Sequence, residues 1–238
     1  MVGASQGSQA EAEGDEIPQT AGRASSRSRA KDGHASTAST PSNQAMTRVC
    51  VFAGSSSGSR PEYRAAAETL GRELGARGIG LVYGGARVGL MGAVADAVLA
   101  AGGHVTGVIP RALVEKEVAH SGLSDLRVVT SMHERKALMG DLSDGFIALP
   151  GGWGTLDEFF EILTWAQLGL HQKPCGLLNV HGYFDGLLSF LAHSTAEGFV
   201  RHEYQSMISV ADSAGALLEQ LAAQRPPAVE KWIDVTST

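Results

Sequence analysis

Residues 145–168, GFIALPGGWGTLDEFFEILTWAQL, decide the fold of this chain. They begin with a short uninterrupted apolar run from Phe146 to Leu149, which is typical of a strand buried on both faces. The next five residues, PGGWG at 150–154, continue neither a strand nor a helix, so the chain turns there. From Thr155 onward apolar residues recur at helical spacing, which predicts a helix. A strand, a glycine turn and a helix in succession direct free backbone N–H groups and a positive dipole end towards an anion, typically a phosphate.

A purely structural interpretation of the same turn is also open. The sequence TLDE at 155–158 matches a capping box, in which the side chains of Thr155 and Glu158 satisfy the N–H groups of their own helix. The three glycines within 151–154, directly before the box, are the feature that this interpretation does not explain.

Composition limits the classes of function. The chain has 238 residues, of which 43% are hydrophobic and 18% charged, as in a globular protein of one ordinary to large domain. A net charge of −6 without a basic stripe gives little support for nucleic-acid binding. No apolar run approaches the roughly 20 residues of a membrane span, so no membrane partner is expected. The two cysteines, Cys50 and Cys175, lie in apolar strand-like segments, which favours buried free thiols in a reducing, cytoplasmic setting.

The chain divides into three regions by composition. Residues 1–45 are rich in Ser, Ala and Gly, contain no aromatic residue, and are predicted to be a disordered extension. Met46 directly precedes the first predicted strand. Residues 46–224 form a single predicted domain, and residues 225–238 are predicted to be a loose tail.

Within the predicted domain, apolar strands alternate with helices. This order indicates an α/β fold in which a parallel sheet carries helices on both faces. Ligands of such sheets bind beyond the carboxyl ends of the strands, where the strand order reverses. Glycine-rich loops at 54–58, 84–92 and 151–154 each follow a strand, so we expect them to converge there. The seven predicted strands are 48–53, 78–83, 104–109, 126–130, 146–149, 175–180 and 207–210.

The helix after Thr155 has little polar surface. Apolar side chains occupy most of its circumference between Leu156 and Leu168. A helix that is apolar on most sides is buried on most sides, which in a chain of this length indicates a subunit interface. A two-fold homodimer is the commonest arrangement of that kind.

Several familiar chemistries have little support. The loop GSSSG at 54–58 formally matches a nucleophile elbow with Ser56 as nucleophile, but no oxyanion motif precedes it, and a phosphate-contacting loop fits better. The loop at 84–92 lacks the Gly-Lys-Ser/Thr of a P-loop. The histidines form no zinc-binding pattern, and the few lysines after residue 46 show no distinctive pyridoxal pattern, so neither a metal nor a cofactor is expected.

A basic pair opens the helix after the fourth predicted strand. Met132-His-Glu-Arg-Lys136 places Arg135 and Lys136 near the carboxyl end of that strand. The pair is compatible with an ordinary solvated face. Near the glycine loops, however, Arg135 and Lys136 would supply a bidentate contact and a point charge to a phosphate.

Taken together, these segments resemble the LOG (Lonely Guy) family of cytokinin-activating phosphoribohydrolases from about Thr47 to Ala222. The two hallmark motifs of the family are P-G-G-x-G-T-x-x-E, matched by Pro150 to Glu158, and M-H-x-R-K, matched by 132–136. The segments YGG at 83–85, VGLMG at 88–92 and GGHVTGVIP at 102–110 are also similar to the family.

The resemblance implies a Rossmann-like fold, a homodimer and a reaction. That reaction is hydrolysis of the N-glycosidic bond of a nucleoside 5′-monophosphate, which gives a free base and ribose 5-phosphate. N6-prenylated adenines are the preferred bases in the family, and AMP is often accepted. By resemblance Arg135 and Glu158 are the catalytic pair. The substrate contacts implied in the same way are Glu117, Arg135, Lys136, Gly151, Gly152, Trp153, Gly154, Thr155, Leu156, Asp157 and Thr164.

Four positions depart mildly from the family pattern: Ala53, Ala86, Trp153 and Asp157 stand where Cys, Gly, Tyr and Glu are frequent. Trp153 and Asp157 border the expected site, so these departures bear on the preferred base more than on the reaction. Two other functions stay open, namely a general nucleotide nucleosidase that acts on AMP and a non-catalytic nucleotide carrier of the same fold.

Overall fold

The computed structural model describes residues 46–114 and 119–224, all of which belong to one compact unit. The predicted extension at 1–45 and the predicted tail at 225–238 lie outside the described residues. Glu117, which the family resemblance makes a substrate contact, also lies outside them.

Strands and helices alternate along the described chain. The strands are β1 Arg48–Phe52, β2 Gly80–Tyr83, β3 Val105–Pro110, β4 Asp125–Val129, β5 Gly145–Ala148, β6 Cys175–Leu178 and β7 Ile208–Ala211. The helices are α1 Pro61–Ala76, α2 Gly89–Ala100, α3 Arg111–Val114, α4 Met132–Asp141, α5 Trp153–Gln167, α6 Asp185–Ala196 and α7 Ala214–Ala223. Short 3-10 turns at Val180–Gly182 and His202–Met207 flank α6.

The seven strands form one sheet in the order β4-β3-β2-β1-β5-β6-β7, and every pair of neighbours is parallel. The chain builds outward from β1 to β4, returns to the other side of β1 as β5, and continues to β7. The strand order therefore reverses between β1 and β5, and ligands of such sheets bind beyond that point. The predicted doubly wound α/β sheet of about seven strands is confirmed.

Alternate residues of each strand enter cores on opposite faces of the sheet. In β1, Val49 and Val51 point to the face covered by α1, α2 and α7, whereas Cys50 and Phe52 point to the face covered by α4 and α5. Both faces are thus buried, and the strands read as continuous apolar runs for this reason. None of the described helices is long and apolar enough to cross a bilayer.

Asp144, just before β5, fixes the register between β5 and β1, the two strands between which the strand order reverses. Its Oδ2 accepts hydrogen bonds from Thr47 N, Thr47 Oγ1 and Arg48 N at 2.8, 2.7 and 2.9 Å. Burial alone would raise the pKa of Asp144, but these bonds outweigh it, so the pKa lies below its usual value. With the strand starts fixed, Phe52 pairs with Ala148, and the loops that follow β1 and β5 leave the sheet side by side.

The start of α5 differs from the prediction. The helix begins at Trp153, two residues before Thr155, and its N-cap is Gly152, which has no side chain to cap it. The capping-box interpretation of TLDE is therefore wrong. Thr155 is inside the helix and buried, and Glu158 is directed to another helix. A short helix, α3, was also not predicted.

Candidate active site

The three glycine-rich loops meet at the point of strand reversal, as predicted. Gly54 N donates to Pro150 O at 3.1 Å, which joins the loops after β1 and β5. Leu90 N donates to Gly54 O at 3.0 Å, which joins the loop after β2. A Cβ on Gly89 would lie 2.3 Å from the Ser55 carbonyl carbon, so glycine is required for this approach.

Helix α4 starts at the same edge and carries the basic pair. Its N-cap is Ser131, whose hydroxyl accepts from Glu134 N at 3.1 Å. Glu134 in turn accepts from the backbone and hydroxyl of Thr130, and these bonds lower the pKa of Glu134. This reciprocal capping fixes the first turn of α4, on which Arg135 and Lys136 follow.

Arg135 and Glu158 form a buried ion pair. Their side chains come from α4 and α5, and Arg135 Nη1 lies 2.9 Å from Glu158 Oε1. The residues are only 8% and 9% exposed. Arg135 Nε also donates to Val108 O at 3.1 Å, which orients the guanidinium. A Cβ on Gly84 would lie 2.1 Å from Arg135 Nη2, so a larger residue there would displace the guanidinium from this position.

The environment of Glu158 changes its proton affinity. Burial is the main cause, and it raises the pKa of Glu158 above the ordinary value of 4.5. The neighbouring cations Arg135 and Lys136 act in the opposite direction, while Asp157 and Glu161 raise the pKa further. A carboxylate with a raised pKa is better able to take a proton from water near neutral pH.

Lys136 lies between two further carboxylates of α5. Its Nζ is 2.8 Å from Asp157 Oδ2 and 3.1 Å from Glu161 Oε2. Burial tends to lower the pKa of Lys136, but the bonds to Asp157 and Glu161 outweigh it and the pKa is raised, so this side chain is a cation. Glu161 was not singled out in the sequence, although its spacing of three and four residues from Glu158 and Asp157 places it on the same helix face.

The N-terminus of α5 faces the site through a glycine-rich turn. A Cβ on Gly151 would lie 2.1 Å from Thr155 Oγ1 and 2.9 Å from Gly54 N, whereas Gly152 and Gly154 have open space around them. The first N–H groups of a helix have no partner within it, so those of α5 are available to an anion. Trp153, the first residue of α5, is 90% exposed, and Leu156 is half-buried against the core between the sheet and α5.

A cavity of about 290 Å³ lies between the loops after β1 and β5. Its walls are formed by the serine loop, by Gly151 and Gly152, and by the rings of Tyr63 and Tyr183. Tyr183 Oη donates to Gly151 O at 2.7 Å. Neither tyrosine was anticipated, because both are far in sequence from the glycine motif and no local pattern marks them.

Two other residues considered in the sequence, Thr164 and Ser56, do not join the charged cluster of α4 and α5, although Ser56 lines the cavity. Thr164 lies on α5 seven residues after Asp157, about 10 Å along the helix axis, and its hydroxyl donates to Phe160 O at 2.7 Å. Ser56, the formal elbow serine, accepts from Gly58 N at 3.2 Å, which is a turn-forming role.

Comparisons with known proteins identify the family of the chain. A family model described as "Possible lysine decarboxylase" matches residues 91–221. The probable cytokinin riboside 5′-monophosphate phosphoribohydrolase LOGL9 of Oryza sativa subsp. japonica is 54% identical over 179 residues, which are 75% of this chain and 79% of that protein. The chain belongs to the LOG family. Its Arabidopsis thaliana relative LOG7, a cytokinin riboside 5′-monophosphate phosphoribohydrolase, is 50% identical over 75% of this chain and 82% of its own length.

Solved structures share the LOG fold at lower identity. The molybdenum cofactor binding protein of Rippkaea orientalis has a TM-score of 0.58 and 22% identity, and it covers 76% of this chain and 98% of its own. The molybdenum cofactor carrier protein of Chlamydomonas reinhardtii has a TM-score of 0.56 and 20% identity over 74% and 98% of the two chains. At these identities the likeness concerns the fold alone.

The lysines of the described chain give no support to decarboxylase chemistry, which would require a free amine to form a Schiff base. Lys136 is held by two carboxylates, and Lys173 Nζ donates to Gly140 O at 2.8 Å. The features that this site does combine are a cluster of helix N–H groups for an anion and a buried carboxylate beside an arginine.

Proposed function

We propose that this LOG-family chain hydrolyses the N-glycosidic bond of cytokinin riboside 5′-monophosphates and releases the free cytokinin base and ribose 5-phosphate. The observation that carries the proposal is the buried Arg135–Glu158 pair beside the N-terminus of α5. Relatives with 50–54% identity bear the name of this activity.

The reaction needs a group that stabilises positive charge at C1′ of the ribose. As the bond between C1′ and the base nitrogen breaks, its electron pair leaves with the base and the ribose becomes oxocarbenium-like. Water then adds to C1′, and the base takes up a proton, so one water is consumed. Glu158 is suited to stabilise the cation and to accept the proton of the attacking water, because its buried carboxylate has a raised pKa.

The remaining groups hold the nucleotide. The N–H groups at Gly152 to Gly154 would bind the 5′-phosphate at the N-terminus of α5 without a metal ion. Arg135 keeps Glu158 in place, and its guanidinium would donate to a ribose oxygen. Lys136 adds a cation, which Asp157 and Glu161 hold at the edge of the site.

The activity is tested by incubating the purified chain with isopentenyladenosine 5′-monophosphate or with AMP and measuring free base by chromatography. We expect release from both, faster from the prenylated nucleotide. Faster release from AMP would indicate a general nucleosidase. Binding of AMP, measured by calorimetry, without release of base from either nucleotide would indicate a carrier.

Replacement of the carboxylate tests its role. Glu158→Gln should retain the fold and lower kcat at least about 100-fold, because a positioned base and a charge-stabilising group are lost together. Glu68→Gln, on the surface of α1, is the matched control and should keep normal turnover. Near-normal turnover of Glu158→Gln, with an unchanged thermal midpoint, would exclude the assignment.

The setting of the enzyme is part of the proposal. Cys50 and Cys175 are free and buried, and burial raises the pKa of Cys175 to about 12, which suits thiols of a reducing, cytoplasmic compartment. A homodimer is supported by α6, in which no residue is buried although Leu187, Phe190 and Leu191 are apolar. Phe190 is 61% exposed in the single chain. Sedimentation of the purified chain tests this, and a monomer would contradict it.

A further inference from the structure

We propose that Tyr183 is a positioning residue for phosphate binding: its hydroxyl holds the Gly151–Gly152 peptide in the orientation that the nucleotide requires. This inference rests on the proposed function of the site. The bond from Tyr183 Oη to Gly151 O is 2.7 Å, and it links residues 32 positions apart in the chain. It is therefore a tertiary contact made at the glycine turn itself.

An anion-binding turn has to direct its N–H groups one way and its carbonyls the other. In a trans peptide the C=O and N–H point in opposite directions. Because the Gly151 carbonyl is directed towards Tyr183, the N–H of Gly152 in the same peptide is directed away from it. Glycines impose no such preference by themselves, since they adopt many backbone conformations with equal ease. The hydroxyl of Tyr183 supplies the preference.

The ring of Tyr183 is itself fixed by aromatic neighbours. It contacts Tyr63 edge-on at a centroid distance of 5.6 Å and Phe184 at 5.0 Å. The ring of Tyr63 lies directly beneath the serine loop, because a Cβ on Gly58 would be only 2.8 Å from Tyr63 Cδ2. The two tyrosines thus connect the loop after β1 with the loop after β5, and both line the cavity between them.

The turn that delivers Tyr183 is tightly built. His181 has a left-handed φ of 50°, which is rare for a residue other than glycine, and Gly182 follows with φ of 69°. The side chain of Asn179 closes this turn by accepting from Phe184 N at 2.8 Å and donating to Asp185 Oδ1 at 2.7 Å. A turn held on both sides leaves Tyr183 little freedom to move away from Gly151.

Tyr183→Phe keeps the ring and removes only the hydroxyl. We expect the KM for the nucleotide and the dissociation constant of ribose 5-phosphate each to rise about fivefold, the usual effect of one lost hydrogen bond. The kcat should change less than about twofold, because the Arg135–Glu158 pair is untouched. Inhibition by the free base, which has no phosphate, should stay the same.

Tyr204→Phe is the matched control, because it removes the hydroxyl of a buried tyrosine in the turn His202–Met207, away from the cavity, and that hydroxyl bonds to none of the described residues. It should leave the KM and the ribose 5-phosphate affinity as they are in the unmodified chain. An unchanged affinity for ribose 5-phosphate in Tyr183→Phe would overturn the inference, and so would an equal weakening of base and ribose 5-phosphate.

The binding measurements also separate this inference from the proposed function. Calorimetry with ribose 5-phosphate and AMP does not require turnover. If the unmodified chain binds both but releases no base, the hydrolase proposal fails, and the fivefold shift in Tyr183→Phe still decides the role of the tyrosine.

Discussion

Glu158 belongs to a cluster of charged side chains in which carboxylates outnumber cations. Two cations, Arg135 and Lys136, are surrounded by three carboxylates, those of Glu158, Asp157 and Glu161. A dianionic phosphate would not be drawn to such a cluster by its net charge, which supports placing the phosphate on the N–H groups of α5. In the proposed mechanism the cluster lies beside the ribose, where positive charge develops and an excess of carboxylate is favourable.

In the proposed mechanism, the acid limb of the pH profile reports the protonation of Glu158. Because that mechanism requires the carboxylate, the raised pKa should place the midpoint of kcat/KM above 4.5. Lys136 lowers this pKa, so Lys136→Met should move the limb to higher pH. Asp157 raises it, so Asp157→Asn should move the limb to lower pH. The profiles are measured with the nucleotide well below its KM, and shifts of both variants in the same direction would contradict the assignment.

At the scale of residues, the sequence predicts side chains that lie close to a recognisable motif. Arg135, Lys136, Asp157 and Glu158 belong to two short motifs, and the structure brings them together. Thr155 has the type and spacing of an N-cap residue, but the N-cap is Gly152, three residues earlier, so the threonine lies inside the helix. The hydrogen bond from Tyr183 could not be predicted, because it depends on how β6 and its turn are placed beside β5.

At the scale of helices and strands, α1 and α2 form the most extensive contact between any two of the described helices. Gly71 and Gly75, one helical turn apart on α1, face Ala97 of α2 and Ala101, the C-cap residue that follows α2. A Cβ on Gly71 would be 2.6 Å from both Val94 O and Ala97 Cβ. Helix α2 begins at the loop after β2, which carries Gly84 beside Arg135, so this packing also fixes that loop.

Gly71→Ala tests whether packing or helix propensity decides the stability of this pair. Propensity alone favours alanine by about 1 kcal/mol. Overpacking against a backbone carbonyl costs about 1–3 kcal/mol, so we expect the free energy of unfolding to fall by about 1–2 kcal/mol. Gly186→Ala in α6 is the control, since a Cβ there meets no described atom within 4 Å. Urea unfolding compares the two, and a stabilised Gly71→Ala would disprove the close packing.

At this scale the sequence predicts most of the fold, for a simple reason. A strand buried on both faces has to be apolar at every position, so Val49 to Phe52 and Phe146 to Ala148 are visible as runs. The close approach of α1 and α2 was not predicted, because a glycine inside a helix indicates nothing until its neighbour is known. The order of the strands and the position of its reversal between β1 and β5 were not predicted, because right-handed crossovers are compatible with more than one strand order.

At the scale of the whole molecule, we propose that Thr164 connects the site with the dimer, in which α5, predicted from its apolar sequence to lie at a subunit interface, would pair with its counterpart next to the exposed apolar side chains of α6. It lies on the same side of α5 as Asp157 and Glu161, but α5 runs away from the glycine loops, so Thr164 recedes from the site of its own chain. In an antiparallel pair of α5 helices centred near Phe160 and Glu161, the partner's Thr164 would lie beside Asp157. A substrate contact by Thr164 then requires two chains.

Mixed dimers test this arrangement. Thr164→Arg and Glu158→Gln should each be inactive alone, the first because a bulky cation enters the site. In a heterodimer of the two, purified through a different tag on each chain, one site carries both substitutions and the other carries neither. We therefore expect about half of the activity of the unmodified dimer, measured as base released from isopentenyladenosine 5′-monophosphate.

A heterodimer of Glu158→Gln with Arg135→Met is the control and should stay inactive, because Arg135 and Glu158 form their ion pair within one chain. An inactive Thr164→Arg heterodimer would mean that Thr164 acts within its own chain, and an active Thr164→Arg homodimer would mean that it does not contact the substrate.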